Sequence, residues 1–151
     1  MTAMNAHDLQ DYLHTHIPLS KDMDVAVAEA STERVVLSAP LAPNINHQET
    51  AFGGSLSTLA ILSAWSLLQL RLRSAGFAAR LVIHQNTMHY DAPVASTFTA
   101  CALTPADESW GRFILMLSRR GKARVSVSSL VESDGALAGR FEGEFVALVA
   151  P

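Results

Sequence analysis

The stretch TAFGGSLSTLAILSAWSLLQL, Thr50 to Leu70, decides how this chain folds. It contains no ionisable side chain. Leu56, Leu59, Ala60, Leu62, Trp65, Leu67, Leu68 and Leu70 cover a helix surface almost all round, so such a helix must be wrapped by protein on most sides. Ser55, Ser57, Thr58, Ser63, Ser66 and Gln69 interrupt the apolar run, whereas a membrane span needs roughly 20 predominantly apolar residues. The stretch therefore reads as a central buried helix from Gly53 to Ala75. Arg71 and Arg73 suit the negative end of its dipole, and Gly76 supplies a left-handed cap.

Upstream, Asn5 to His16 carries Leu9, Tyr12, Leu13 and His16 at helical spacing, and Ile17-Pro18 ends it, because a residue before proline avoids the helical region. From Asp24 the period changes to two. Val25 and Val27, then Val35 and Leu37, flank the polar turn Ser31-Thr32-Glu33-Arg34, which predicts a hairpin ending at Pro40. A loop, Leu41 to Thr50, leads into Ala51-Phe52-Gly53-Gly54.

Downstream, strands are expected at Arg80–Tyr90, Ser96–Leu103, Trp110–Arg120, Ala123–Glu132 and Leu137–Val149. The turn signals Asp91-Ala92-Pro93, Thr104-Pro105-Ala106-Asp107, Arg120-Gly121-Lys122 and Ser133-Asp134-Gly135 divide them, with short hairpin connections throughout. In the last strand Phe141, Phe145, Ala147 and Val149 alternate with Arg140, Glu142 and Glu144, giving one buried and one wet face. Two strands, one long buried helix and an antiparallel run of strands make an α+β domain, residues 1–151, in which a curved sheet wraps a single helix.

Composition narrows the function classes. The chain has 151 residues, 49% hydrophobic and 17% charged, so it folds, and its apolar excess suggests surface hidden in a partner. A net charge of −3 with only 11 basic residues leaves no overall electrostatic footprint for nucleic acid. A single cysteine, Cys101, excludes an internal disulfide and a cysteine zinc cluster. Nothing near Met1 resembles an export signal, so a cytoplasmic location is expected. No metal is expected: His47 and Glu49 stand two apart without a further constellation of ligand spacing. The absence of a Gly-rich phosphate loop, a dinucleotide fingerprint or a Gly-x-Ser-x-Gly elbow means no cofactor is expected.

Asn46-His-Gln-Glu-Thr-Ala-Phe-Gly53-Gly54 at the helix entrance and Tyr90-Asp-Ala-Pro93 after the next strand resemble the hotdog-fold thioesterase superfamily. Its acyl-CoA members carry an Asn, six residues later a His-Gly-Gly opening the central helix, and a Tyr-x-x-Pro on the following strand. Ile17-Pro-Leu-Ser, Ala39-Pro-Leu-Ala-Pro-Asn-Ile-Asn and Thr50-Ala-Phe-Gly-Gly-Ser are similar, more closely, to the thioesterase domain also found fused behind an acetyltransferase domain in some bacterial proteins. The resemblance implies a homodimer whose long third strands pair across a two-fold axis, with further pairing of dimers left open. It also implies two equivalent sites at the subunit interface acting on acyl-CoA or acyl-carrier-protein thioesters.

Thioester hydrolysis needs the carbonyl oxygen stabilised as it becomes an oxyanion, and free N–H groups at a helix N-terminus offer that. Gly53 and Gly54 let a substrate approach there, or alternatively let the helix start pack tightly against a strand. Two roles fit Asn46: holding the attacking water, as the resemblance implies, or bonding its own backbone in a turn. Phe52 stands where many relatives have His, and Ile61 stands where they carry a carboxylate nine residues further on. Because Gly53 to Ala75 holds no Asp or Glu, a base must come from elsewhere.

His47 and Glu49 are the nearest titratable candidates on the loop. Thr50 fits a helix cap better than a substrate donor, and Ser57 and Thr58 are candidate polar lining. On the third strand His84, Asn86, Met88 and Tyr90 share one face by the two-residue period, and Gln85, Thr87 and His89 the other. His84, Asn86, Tyr90 and Asp91 are taken as substrate-side candidates. Eight of the 11 cations fall between Arg71 and Arg124, with Arg119, Arg120, Lys122 and Arg124 around Gly121, suited to coenzyme A phosphates or an acidic carrier protein. Because Phe52 and Ile61 replace reactive groups, a non-catalytic module that binds acyl thioesters is the alternative reading.

Overall fold

The computed structural model describes residues 4–150. Its first helix, α1, spans Ala6–His16 and starts at a capping box. The Asn5 side chain accepts from the Asp8 N–H at 2.8 Å, and the Asp8 carboxylate accepts from the Asn5 N–H at 3.3 Å. Pro18 opens a second short helix, α2, over Pro18–Asp22, which the sequence reading did not include. The hairpin follows as β1, Ala26–Ala30, and β2, Val35–Ala39. A 3₁₀ turn at Ala42–Asn44 then leads into the central helix α3, Gly53–Ser74. Gly76 closes α3 in the left-handed region with φ of 86°.

The remaining elements are β3 (Ala79–Tyr90), β4 (Phe98–Leu103), α4 (Asp107–Arg120), β5 (Lys122–Ser133) and β6 (Ala136–Val149). Six strands form one antiparallel sheet in the order β1-β2-β4-β5-β6-β3. The β5–β6 turn is the expected Asp134-Gly135 pair, with φ of 53° and 74°, the positive values that let a tight turn follow the strands' twist.

Residues 110–120 are a helix, not the expected strand, so β4 and β5 are not joined by a short hairpin. The physical reason lies in the spacing: Trp110, Phe113, Ile114 and Leu117 fall at i, i+3, i+4 and i+7, and Phe113 and Leu117 are buried. Asp107 and Glu108 favour its N-terminal turn, Arg119 and Arg120 its last turn, and Gly121 at φ 70° terminates it. Glu108 and Arg112 add an ion pair of 2.9 Å one turn apart. Trp110 lies under the guanidinium of Arg71, 4.5 Å from ring centroid to carbon, which ties α4 to the end of α3.

The sheet wraps α3 as its composition requires. Leu59, Leu67 and Leu68 are fully buried, and the buried Ser63 meets Ser129 of β5 through a 2.5 Å hydroxyl pair while donating to the Ala60 carbonyl. By length and composition α3 is long and apolar enough to cross a membrane, but 61% of that apolar window is buried inside the protein. Truncating Leu67 to Ala empties a fully enclosed site, and such truncations cost roughly 2–5 kcal/mol. Denaturant unfolding of Leu67→Ala is expected to show that loss as a lower midpoint at unchanged slope.

One irregularity changes which side chains of β3 stand together. The register against β6 shifts between Ile83 and Gln85, so His84 is the extra residue of a bulge. His84 therefore leaves the face assigned to it with Asn86, Met88 and Tyr90, and stands instead 3.8 Å from Glu144. Beyond the bulge Asn86 pairs with Gly143, Met88 with Phe141 and Tyr90 with Gly139.

Candidate active site

The loop before α3 is held by two asparagines. Asn44, which the sequence reading passed over, is buried, and its amide donates to the carbonyls of Met23 at 3.0 Å and Pro40 at 2.8 Å. The Asn44 backbone carbonyl accepts from the Phe52 N–H, fixing where α3 begins. Asn46 holds the turn: its Oδ1 accepts from the N–H groups of Gln48 and Thr50, and its Nδ2 donates to the Thr50 hydroxyl at 2.9 Å. Of the two roles weighed for Asn46, these bonds are those of a turn residue.

Thr50 does not cap α3. The N-cap is Phe52, which makes no side-chain capping bond, and the Thr50 hydroxyl faces Asn46 instead. Ser55 and Leu56 both donate to the Phe52 carbonyl, whereas the N–H groups of Gly53 and Gly54 find no acceptor among the described residues. These are the orphan donors every helix start leaves, and here the dipole makes them attractive to developing negative charge.

The far end of β3 comes to this helix start. A Cβ on Gly53 would sit 3.3 Å from the Tyr90 ring, and one on Gly54 would run into the Phe52 ring, so glycine at both positions permits the approach of these aromatics. Phe52 and Tyr90 remain 59% and 54% exposed. Beside Tyr90 opens a shallow pocket of about 310 Å³, lined by Gly53 and Leu56 of α3 and by Tyr90, Asp91, Pro93 and Val94.

Among the described residues Asp91 is the one carboxylate lining this pocket. Arg140 of β6 grips it with two bonds, Nε to Oδ2 at 2.9 Å and Nη2 to Oδ1 at 3.0 Å. Chiefly through those hydrogen bonds, the guanidinium holds the Asp91 carboxyl below its ordinary value, so it stays ionised. Arg140 was legible only as an outward polar residue of the last strand. Its role needs the β3–β6 register, which sets it opposite His89, beside the Tyr90–Asp91 corner.

The other candidates are more scattered. His47 and Glu49 are exposed on the loop and outside the pocket lining, Glu49 in the left-handed region at φ 63°. Ser57 and Thr58 are half-buried in the first turns of α3, and Asn86 is exposed on β3. The cation cluster lies at the opposite end of the sheet. Arg112, Arg120, Lys122 and Arg124 border a groove of about 780 Å³ floored by Phe113 and Val125, with Arg124 3.4 Å from Glu144. Along β5, Lys122 is about 30 Å from Val131, the strand neighbour of Gly139 and hence of Tyr90. Among the described residues no three His, Cys, Asp or Glu side chains gather as a metal site.

A curved antiparallel sheet closed around one long buried helix, with a pocket at that helix's free N–H groups, defines a hotdog-fold protein. Residues 6–149 match the family described as "Putative thioesterase (yiiD_Cterm)", and the chain belongs to that family.

Solved structures agree with this assignment. A protein of unknown function from Chlorobaculum tepidum TLS superposes with a TM-score of 0.91 at 27% identity, covering 98% of this chain and 99% of its own. A "putative thioesterase" from Shewanella oneidensis gives 0.84 at 29% identity, over 95% and 96% of the two chains. The fold alone is shared with a Pseudomonas aeruginosa protein described as a "probable thioesterase", at 0.81 and 20% identity over 95% and 96%.

Proposed function

We propose that this protein hydrolyses acyl thioesters carried by coenzyme A or an acyl carrier protein. The observation that carries the reading is the pair of N–H groups on Gly53 and Gly54, without an acceptor among the described residues, at a helix start whose first residue, Gly53, lines a pocket that also holds an ionised carboxylate. The thioester carbonyl oxygen sits at the two N–H groups, where the helix dipole and the donors favour the tetrahedral oxyanion over the neutral ground state. The acyl chain runs over Leu56 toward α3. Asp91 accepts a proton from a water as its oxygen bonds to the carbonyl carbon. The C–S bond then breaks, and the leaving thiolate takes up a proton. Both oxygens of Asp91 bond Arg140, but each keeps a second lone pair for that water. Asn46 is a positioning residue, fixing the loop from which α3 starts.

The working unit in this reading is a homodimer in the cytoplasm. β3 is twelve residues long and lies at the margin of the sheet with one edge unpaired, an arrangement that invites a second strand. Within one chain Arg80 stands about 33 Å from Tyr90 along β3, too far for a single carrier arm to engage both comfortably. Antiparallel pairing of two β3 edges brings the cationic end of one copy beside the pocket of the other. Sedimentation equilibrium is expected to give twice the 16.2 kDa chain mass, and a monomer at micromolar concentration would remove this part of the reading.

A thiol-release assay over a panel of acyl-CoA and acyl-carrier-protein substrates tests the activity. Turnover supports the hydrolase. Tight binding without thiol release would instead support the binding-module reading, which the absence of any carboxylate on α3 favours.

A further inference from the structure

We infer that the notch between α1, the C-terminal half of α3 and the start of β3 binds a purine nucleotide, a flat heteroaromatic ring carrying phosphate. The cavity measures about 370 Å³, and Tyr12, Gln69, Arg73, Phe77 and Arg80 line it. Three features select this ligand class.

The first is charge. Among the described residues neither Arg73 nor Arg80 has a carboxylate within ion-pair distance. Arg73 Nη1 finds only the Met4 sulfur at 3.9 Å. Two guanidinium groups with no counter-ion among the described residues, on one cavity, match phosphate oxygens in geometry as well as in sign.

The second is the pair of rings. Tyr12 and Phe77 are half-buried at the notch. Tyr12 is held by stacking on Trp65, with centroids 6.1 Å apart and planes at 17°, and by His16 at 4.3 Å. A ring fixed by its neighbours loses little freedom when a ligand packs on it, which favours a flat aromatic partner over a flexible chain.

The third is Gln69. Its side-chain amide makes no hydrogen bond within the described chain, and its Oε1 is enclosed without a donor. A side-chain amide offers one donor and one acceptor side by side, the pair that reads the N6/N7 edge of adenine. Inorganic phosphate would use the arginines and leave the amide and rings idle, and a fatty chain would offer the cations no partner.

The notch is about 24 Å along α3 from Gly53, so it is separate from the thioester pocket of the same chain. Two sources carry this chemistry, a free adenine nucleotide and the nucleotide end of coenzyme A. Only the second rests on the thioesterase reading.

Calorimetric titration of the full chain with ADP tests the site. Saturable binding is expected, with adenosine and inorganic phosphate each at least about tenfold weaker, since each engages only part of the notch. Arg80→Gln, at an exposed position, and Arg73→Gln are each expected to weaken ADP by about tenfold. Gln69→Leu should weaken ADP while leaving phosphate unchanged.

If Arg80→Gln also raises KM for an acyl-CoA with kcat unchanged, the ligand is the nucleotide end of coenzyme A. Lost ADP binding with KM unmoved identifies a free nucleotide. The inference is overturned if ADP shows no saturable binding at millimolar concentration, or binds with an affinity that both arginine variants leave unchanged. Because the titration needs no turnover, a protein that binds ADP but releases no thiol would sink the hydrolase and keep the notch.

Discussion

Asp91→Asn is expected to lower kcat for thiol release by roughly 10²–10⁴-fold, the usual contribution of a positioned acid or base, with KM little changed. Asparagine keeps the shape and can still accept one bond from Arg140, so the corner between β3 and β6 should stay folded and the loss should be chemical. The pH profile makes the assignment specific. Arg140 holds the Asp91 carboxyl below its ordinary value of 3.8, and the carboxylate is the form that takes the water's proton. Activity on the acid side should therefore persist below pH 4 for as long as the fold survives. In Arg140→Gln the main cause of that lowering is gone, so the acid limb should move upward toward the ordinary carboxylate range. An acid limb that stays in place in Arg140→Gln, or full activity in Asp91→Asn, would assign the water's proton to another acceptor.

The second large effect separates a backbone donor from everything around it. Gly53 is the first residue of α3, where proline is tolerated because the N–H it lacks has no helical partner. The preceding Phe52 already has φ of −58° and ψ of 131°, a conformation compatible with a following proline. Gly53→Pro thus deletes one oxyanion donor while leaving the helix its start. Removal of such a donor costs roughly 10²–10³ in kcat. Gly53→Ala is the control. It brings the same Cβ toward Tyr90, at 3.3 Å, but keeps the N–H, and a half-exposed ring can give by a few tenths of an ångström. Proline slow and alanine active is the expected pattern. If both are equally slow, crowding of Tyr90 accounts for the loss and the N–H does not.

Most of the architecture was legible because it follows from local rules. An all-round apolar helix needs a wrapper, period-two runs supply it, and Gly76 and Asp134-Gly135 mark where the chain turns. The misreading fell at residues 110–120, where Phe113, Leu115 and Leu117 alternate as a strand would, while Trp110, Phe113 and Leu117 also keep helical spacing. Leu115 at 49% and Met116 at 43% exposure show which period won: only one stripe of α4 is covered.

The site was legible to the extent that it is local. Gly53, Gly54, Tyr90 and Asp91 were singled out; Gly53, Tyr90 and Asp91 line one pocket, and Gly54 follows in the same helix turn. Arg140 and the His84 bulge were not foreseeable, since each depends on how β6 registers against a strand made more than 45 residues earlier. Asn46 shows the complementary limit. Its residue type fits both a water-holder and a turn-former, and its bonds to Gln48 and Thr50 become visible only in the folded loop.

The strand order also fixes a sequence of events at the ribosome. β3 leaves the tunnel before β4 and β5, yet its lateral partner within the sheet is β6, made last of all the strands. Until Ala136–Val149 has been synthesised, β3 has only α3 to rest on and no strand beside it within the chain, and α3 is left incompletely shielded, a sticky intermediate of the kind chaperones retain. A nascent chain stalled before β6 should remain protease-sensitive even at Tyr90 and Asp91, so the pocket comes into being only as the last strand arrives.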